Sequence, residues 1–308
     1  MTANELLIER VNKIIKETSG VNDTLDWEVY DIANEIIKKV KNSNKCLENG
    51  LTSITGTINR EIFNRDFSIN YKAIYFNNDK EYEEYINKYG TFNCGQVTIN
   101  KKIFITIYLI IINGNYDFND FYDSIYHEFD HAFEETMSGK EFGGDMLNAF
   151  IRTKIYSQNK CERIIAESLY ATRTNEQDAM VNGMWGQVRY NIENDDDFDG
   201  NIDKYIINSE ACIWLKKLYE NLVFLNKNKN SSELINIIQY LKKNFNIGYG
   251  RLISIIKQGI KRFEKKIAMV TRRCKQKYIK EYHVYNQINS KKMLDEGKSF
   301  YCLRTIYI

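Results

Sequence analysis

The chain has 308 residues, of which 43% are hydrophobic, so it can bury a sizeable core and is not a disordered or fibrous protein. Its 43 basic and 41 acidic side chains leave a formal net charge of +2, so the chain as a whole has no electrostatic bias toward nucleic acid or an anionic membrane. The six cysteines include no CxxC pair, which favours free thiols over a thiolate zinc site or a disulfide framework.

The first predicted elements are two helices between residues 4 and 40, where apolar residues recur at three- and four-residue spacing. The amino terminus lacks the uninterrupted apolar core of a signal peptide, and the longest apolar stretch, residues 103–112, is too short to cross a bilayer as a helix. The absence of proline and the heavy use of Asn, Lys, Ile and Tyr suit an AT-rich bacterial or phage genome. We therefore expect no membrane insertion, and a location in the cytoplasm or in a phage virion.

A second group of elements begins after residue 54, where apolar residues alternate with other residues as they do in half-buried strands. Residues 69–75 and 97–107 follow this period, and Asn100 and Lys101 are the predicted turn of a hairpin. Residues 79–89 predict a short helix between them. From about residue 60 the predicted order is therefore strand, helix, strand, strand.

The next predicted helix covers residues 120–137, with Asn119 as its N-cap and Gly139 as its stop signal. One face of it is apolar and should anchor the helix in the core. That face comprises Phe121, Tyr122, Ile125, Tyr126, Phe129, Ala132 and Phe133. From Met146 onward the pattern is helical, apart from an acidic, glycine-containing loop at residues 191–203.

The helix over residues 120–137 contains an HExxH motif formed by His127, Glu128 and His131. Residues four apart lie on one face of a helix, so both imidazoles can reach a single ion while Glu128 stands beside it. The alternative is an accidental match on a surface helix, but the chain has only 3 histidines, so chance seldom produces the pattern. The motif therefore predicts a Zn²⁺ site.

A catalytic zinc site normally has three protein ligands, so a third ligand is required. Residues 134–137 hold neither the glycine nor the further histidine of a metzincin, and the remaining histidine, His283, lies far along the chain. A carboxylate from a nearby helix is the more economical donor. The candidates are Glu162, Glu167 and Glu176. We prefer Glu176, because Ala179 one turn later would let its helix approach the histidine helix closely.

HExxH followed by Asn175-Glu176 on a later helix resembles the gluzincin division of zinc metallopeptidases. The pairing of Glu176 with Ala179 is similar to that of small bacterial and phage peptidases of the ImmA/IrrE-like type. The resemblance covers roughly residues 60–190 and implies a zincin-like α+β fold with a small mixed or antiparallel sheet. Two features depart from the pattern: the interval from His131 to Glu176 is long, and Met180 replaces the aspartate that follows the gluzincin glutamate.

The resemblance also implies how the residues act. Glu128 would be the general base that activates a zinc-bound water for peptide-bond hydrolysis. The family usually adds a Tyr or His that stabilises the oxyanion, and Tyr170, Tyr190 and His283 are the open candidates. By the same resemblance, the strand around residues 103–107 could offer its edge to an extended peptide substrate.

Two weaker patterns have alternative interpretations. Residues 195–203 resemble the start of a calcium loop, through Asp195, Asp197, Asp199, Gly200 and Asp203, but Ile206 replaces the terminal glutamate, which favours a solvated acidic loop. Residues 251–280 form a helix rich in Lys and Arg that could bind nucleic acid or an acidic partner. A core helix with a solvated basic face is the preferred interpretation.

The predicted domain organisation has four parts. They are an N-terminal helical region (1–58), a zincin-like catalytic domain (59–190), an acidic loop (191–204) and a C-terminal helical region (205–308). The predicted function is a zinc metallopeptidase acting on a protein or peptide substrate. One alternative is a zincin scaffold with a structural or partner-binding role, and another is a regulatory peptidase that cleaves a single repressor.

Overall fold

The structure, a computed structural model, describes residues 26–48, 51–62, 64–90, 92, 94–99, 102–138, 146–195 and 198–279. Its class is α+β, as predicted. The strands are β1 (Cys46–Glu48), β2 (Leu51–Ile62), β3 (Arg65–Phe76), β4 (Gly95–Ile99), β5 (Lys102–Ile112) and β6 (Asn115–Tyr116). The helices are α1 (residues 26–42), α2 (Asp79–Tyr89), α3 (Phe118–Ser138), α4 (Met146–Lys154), α5 (Lys160–Ala171), α6 (Thr174–Glu193), α7 (Asp203–Ile207), α8 (Glu210–Lys227), α9 (Ser232–Phe245) and α10 (Tyr249–Cys274), which continues as a π-helix over Lys275–Ile279.

The sheet has mixed strand orientation and the order β1-β2-β3-β5-β4, with β6 pairing to the end of β5. Among the described strands, β3 and β5 are the one parallel pair, and α2 with the β4 hairpin provides the crossover between them. The register Ile99↔Lys102 confirms the predicted hairpin, whose turn residues lie outside the described segments. The prediction that residues 103–107 offer a free edge is wrong for most of that stretch, because β4 pairs with β5 through Thr106, and the edge there belongs to β4.

Strand β2 was not predicted, and the predicted boundary between residues 58 and 59 falls inside it. Its apolar signal is sparse: Ile54, Ile58 and Ile62 are buried, but Gly56 occupies the alternate position between the first two. A Cβ atom at Gly56 would lie 2.2 Å from the hydroxyl oxygen of Tyr71 on β3, so the glycine leaves room for that ring. The second predicted N-terminal helix is confirmed as α1, and the first lies outside the described residues.

The two faces of the sheet are covered by different helices. The inward alternate residues of β3 and β5, such as Ile69 and Ile105, pack in one cluster with apolar residues of α1 and α3. On the opposite face, Phe76 and Ile110 belong to a smaller cluster that includes tyrosines of α2. The period of two along β3 and β5 thus places α3 directly against the sheet.

The large buried cluster extends from Val29 in α1 to Tyr278 after α10. The cluster therefore contains residues from both sides of the loop between α6 and α7, where a domain boundary was predicted. In α10, Leu252, Ile260 and Phe263 are among the buried residues, which confirms the core-helix interpretation of this segment. None of the described helices combines the length and the apolar character needed to cross a bilayer.

Candidate metal centre

The helix that carries the histidines, α3, is capped at its N-terminus by the side chain of Asp117. Asp117 accepts a hydrogen bond of 3.1 Å from the backbone N–H of Asp120, as an N-cap residue does. The prediction of Asn119 as the cap is wrong: it lies within the first turn, and its side chain accepts a hydrogen bond from Asn191 on α6. The predicted apolar face is buried apart from Phe133, which is partly buried.

Helix α6 crosses close to α3 because two glycines face the histidine helix. A Cβ atom at Gly183 would lie 2.4 Å from Asp123 Oδ1, and one at Gly186 would lie 2.4 Å from the Tyr126 ring. Ala179, whose small side chain was the basis for preferring Glu176, is fully buried in the same helix. Small residues at these positions let the two backbones approach, and the first turn of α6 then lies beside the two histidines.

This crossing brings His127, His131 and Glu176 together. The two Nε2 atoms are 3.1 Å apart, and Glu176 Oε2 lies 3.3 Å from His131 Nε2 and 3.7 Å from His127 Nε2. The side chains are 15%, 14% and 10% exposed for His127, His131 and Glu176, so the cluster is largely sheltered. Among the described residues, this is the one group of three whose ligand atoms converge closely enough to hold a metal ion.

The other two glutamates proposed as third ligands lie elsewhere. Glu162 accepts a hydrogen bond from Ser157 and pairs with Lys154 at 2.9 Å. Glu167 pairs with Lys217 of α8, also at 2.9 Å. Each carboxylate is thus held by a lysine, and the structure brings Glu176 alone of the three candidates to the histidines.

The ionisation of the cluster suits a cation site. Burial and the neighbouring His131 lower the pKa of His127 to about 4, so this imidazole is neutral and keeps a free lone pair. Burial raises the pKa of Glu176, but hydrogen bonds and charges from the two histidines and Tyr170 outweigh this effect. The pKa of Glu176 is lowered overall, which keeps the carboxylate ionised. Burial alone lowers the pKa of His131, but Glu176 and the neighbouring Glu128 and Asp130 outweigh it and raise the pKa overall.

Glu128 lies beside the three converging side chains. Burial raises its pKa to about 7, while the charge of His131 lowers it and the charge of Glu176 raises it. A carboxyl group that titrates near neutrality can both accept and return a proton at physiological pH. Glu128 therefore has a pKa suited to proton transfer and lies next to the group that could hold a metal ion.

The structure describes two of the three candidates for the oxyanion-stabilising residue, and it places them differently. Tyr170, at the end of α5, lies beside Glu176: burial, and then the charge and hydrogen bond of Glu176, raise its pKa well above the usual value. Tyr190 instead stacks on Tyr122, with ring centroids 4.6 Å apart. His283 lies outside the described residues. Of the two candidates that the structure describes, Tyr170 is the one that lies beside Glu176.

Sequence analysis missed one neighbour of this cluster, Cys94, which lies just before β4. Burial raises the pKa of its thiol to about 12, and the charge of Glu128 also raises it, while the Ser124 hydroxyl lowers it. The thiol is therefore protonated, and it lies close enough to Glu128 for the two groups to interact electrostatically. No local pattern could reveal this, because the contact depends on how the segment before β4 lies against α3.

The two weaker patterns also have a place in the structure. In the acidic loop, Asp195 pairs with Lys204 at 3.0 Å and Asp203 pairs with Lys275 at 2.7 Å, while Asp197 lies outside the described residues. Lysines thus neutralise two of the aspartates that a calcium site would need. In α10, Lys266 pairs with Asp178, so part of the basic face is used within the molecule.

Comparisons of the chain with protein-family models, with curated proteins and with solved structures gave no match.

Proposed function

We propose that this protein is a zinc-dependent peptidase whose metal is held by His127, His131 and Glu176. The observation that carries the proposal is the convergence of two imidazole nitrogens and one carboxylate oxygen to separations of 3.1, 3.3 and 3.7 Å. The resemblance of the motifs to gluzincins supports the same reaction. The sheet order and the position of α3 against it are compatible with the zincin-like fold that the resemblance implies.

The donor set fits Zn²⁺ in both chemistry and spacing. Ligand atoms that lie about 2.0–2.1 Å from a tetrahedral zinc ion are roughly 3.3 Å apart, which is near the three observed separations. Glu176 Oε2 is buried and has no hydrogen bond of normal geometry among the described residues, although both imidazole nitrogens lie close to it. A cation satisfies this orphaned oxygen and both nitrogens at once.

Two side chains supply proton transfer and charge stabilisation in the proposed reaction. Zn²⁺ at this site would lower the pKa of a bound water to about 7 and polarise the scissile carbonyl. Glu128 accepts the proton of the attacking water and returns it to the leaving amine. Tyr170, on the Glu176 side of the cluster, would donate a hydrogen bond from its hydroxyl to the oxygen that gains negative charge.

The substrate that this geometry suits is an extended protein or peptide segment. Strand β4 is the sheet edge next to α3, and an edge strand presents unpaired backbone groups that can bind an extended chain. Its side chains Val97 and Ile99 are about half exposed, at 51% and 53%. We propose that the substrate lies along β4, instead of along β5 as the sequence indicated, and that the protein works in the cytoplasm or in a phage virion.

The test combines metal content with hydrolysis. Elemental analysis should find one zinc per wild-type chain and one per Glu128→Gln chain, because Glu128 is not a ligand. A peptide library of mixed sequence, read by mass spectrometry, should be cleaved by the wild type and cleaved about 10²–10⁴-fold more slowly by Glu128→Gln. A Glu128→Gln variant as active as the wild type, or a wild type without zinc, would refute the proposal.

The same experiment separates the alternatives. Zinc without any cleavage of the library, or of proteins from the host cell, indicates a structural or partner-binding scaffold, with α10 as a possible surface for nucleic acid or an acidic partner. Cleavage of a single host protein, with the library left intact, indicates a regulatory peptidase of the ImmA/IrrE-like kind.

A further inference from the structure

Helix α10 contacts the turn that carries Glu176, although the two are far apart in sequence. Gln177, the residue after Glu176, is completely buried. Its side-chain amide donates to the backbone carbonyl of Ala171 at 2.9 Å and to that of Gly259 in α10 at 3.0 Å. One side chain thus links the end of α5, the start of α6 and the middle of α10.

Arg262 of α10 completes this link. Its Nη2 donates to the carbonyl of Thr172 at 2.5 Å, and its Nε donates to Gln177 Oε1 at 3.3 Å. The two acceptors lie on either side of Glu176 in the chain. The planar guanidinium can satisfy both at once because its donors point in fixed, diverging directions.

Two further features hold α10 against the same turn. Lys266 donates to the carbonyl of Thr174 at 3.0 Å and pairs with Asp178 at 2.5 Å. A Cβ atom at Gly259 would lie 2.3 Å from Thr172 Cγ2, so only glycine permits this approach. Arg262, Lys266 and Gly259 thus contact the chain on both sides of Glu176. These contacts are with residues other than His127, His131 and Glu176.

The position of Glu176 depends on contacts between helices more than the positions of the two histidines do. His127 and His131 lie one turn apart on a single helix that is packed against the sheet, so their spacing is set locally. Glu176 belongs to a different helix, and the glycines that fix α6 against α3, Gly183 and Gly186, lie about two and three turns further on. The position of its first turn relative to the histidines therefore depends on the contacts from α10 as well as on the packing of Ala179.

We propose that Arg262, acting through Gln177 and the carbonyl of Thr172, is a positioning residue that holds Glu176 at the metal. The inference rests on the proposed function, because it assigns the third ligand of that site to support from the C-terminal part of the chain. A residue that orients a ligand typically contributes 10–100-fold to metal affinity when it lies outside the first coordination shell.

The test measures Zn²⁺ affinity by competition with a chromogenic chelator, together with the urea stability of the metal-free protein. Arg262→Met keeps the packing of the aliphatic stem but removes both hydrogen bonds, and it should raise the zinc dissociation constant by about 10–100-fold. Arg262→Lys should recover part of the loss, because an ammonium group can reach one of the two acceptors. The visible spectrum of the Co²⁺ form should change in Arg262→Met, since the carboxylate ligand is displaced.

Two control variants separate positioning from general destabilisation. Lys265→Met alters an exposed neighbour that has no ion pair among the described residues, and it should leave the affinity unchanged. Val270→Ala weakens the packing of α10 about 12 Å further along the helix, and it should lower urea stability without changing the affinity.

The outcomes distinguish this inference from the proposed function. A wild type that binds zinc while Arg262→Met keeps the same dissociation constant and the same Co²⁺ spectrum overturns the positioning role alone. An equal loss of affinity in Val270→Ala and Arg262→Met also overturns it, because the effect would then come from stability. A wild type with no zinc affinity overturns the proposed function, and the inference with it.

Discussion

Tyr126, the residue before His127, donates a hydrogen bond of 2.6 Å to Asp26 Oδ1 in α1. The same oxygen accepts from the indole N–H of Trp185 at 2.9 Å, and Asp26 Oδ2 pairs with Arg189 at 3.0 Å. The Arg189 side chain is only 2% exposed. Asp26 therefore ties α3 and α6 to the N-terminal helix through one buried carboxylate.

This relationship predicts that Asp26→Ala is strongly destabilising. The substitution leaves the buried Arg189 with its ion pair to Glu193 but without Asp26, and it also removes the acceptor of the Tyr126 and Trp185 hydrogen bonds. Breaking a buried ion pair from one side costs about 3–5 kcal/mol when the remaining charge has no other partner, so we expect the lower end of this range. Urea denaturation should therefore show a fall of about 3 kcal/mol or more in the free energy of unfolding. Asp31→Ala is the matched control on the same helix, because Asp31 is 73% exposed and lies 3.8 Å from Arg60. Its effect should stay below about 1 kcal/mol, and equal effects of the two variants would contradict the assignment.

The close crossing of α3 and α6 predicts a second effect on stability. Gly186→Ala places a methyl group 2.4 Å from the Tyr126 ring, whose hydroxyl is fixed by Asp26, so the ring cannot move freely. Overpacking of this kind costs about 1–3 kcal/mol. Gly250→Ala in α10 meets nothing within 4 Å and should be neutral or stabilising by up to about 1 kcal/mol. Thermal unfolding of the two variants checks the contrast, and a harmless Gly186→Ala would show that the helices are further apart.

The position of Tyr170 predicts a specific kinetic defect. Tyr170→Phe removes the hydroxyl but keeps the ring, so in saturating zinc the metal content and KM should be preserved while kcat falls by about 10²-fold, as for loss of one oxyanion donor. Tyr190→Phe is the control, because that ring stacks on Tyr122 away from the metal cluster. Steady-state kinetics on any peptide that the wild type cleaves provide the measurement. A Tyr170→Phe variant with unchanged kcat would remove this residue from the reaction.

The choice of third ligand is testable with a matched pair of glutamates. Glu176→Gln should weaken zinc binding by more than about 100-fold, since loss of a ligand exceeds loss of an orienting residue. Glu167→Gln breaks only the contact with Lys217, which is 40% exposed, and should change the unfolding free energy by about 1 kcal/mol or less without affecting zinc. Zinc titration followed by competition with a chelator compares the two. The reverse ranking would place the ligand on α5.

The sequence predicted the parts of this site whose geometry is local. His127 and His131 are four residues apart on a strongly periodic helix, so their shared face follows from helix geometry alone. Strands β3 and β5 were predictable for the same reason, because every second residue is buried from 67 to 73 in β3 and from 103 to 111 in β5. Glu176, which the structure brings to the histidines, was preferred among three glutamates because of the small residue that follows it, a signal that reflects how closely helices can pack.

The parts that were missed depend on tertiary context. Strand β2 is stabilised by its pairing with β3, and its glycine and threonines give little apolar signal. The sheet edge could not be assigned correctly, because strand order is a property of the whole topology. Arg262 and Thr172, in the turn between α5 and α6, are 90 positions apart in the sequence. No local pattern in either segment predicts their contact.

The dependence of the Glu176 turn on α10 bears on when the site can form during synthesis. Domains emerge from the ribosome amino terminus first, so both imidazoles leave the exit tunnel long before residue 262 does. A nascent chain that already displays HExxH therefore still lacks the contacts that hold its third donor. Completion of the proposed centre is thereby coupled to the synthesis of α10, which would keep chains that lack this helix from acting on their surroundings.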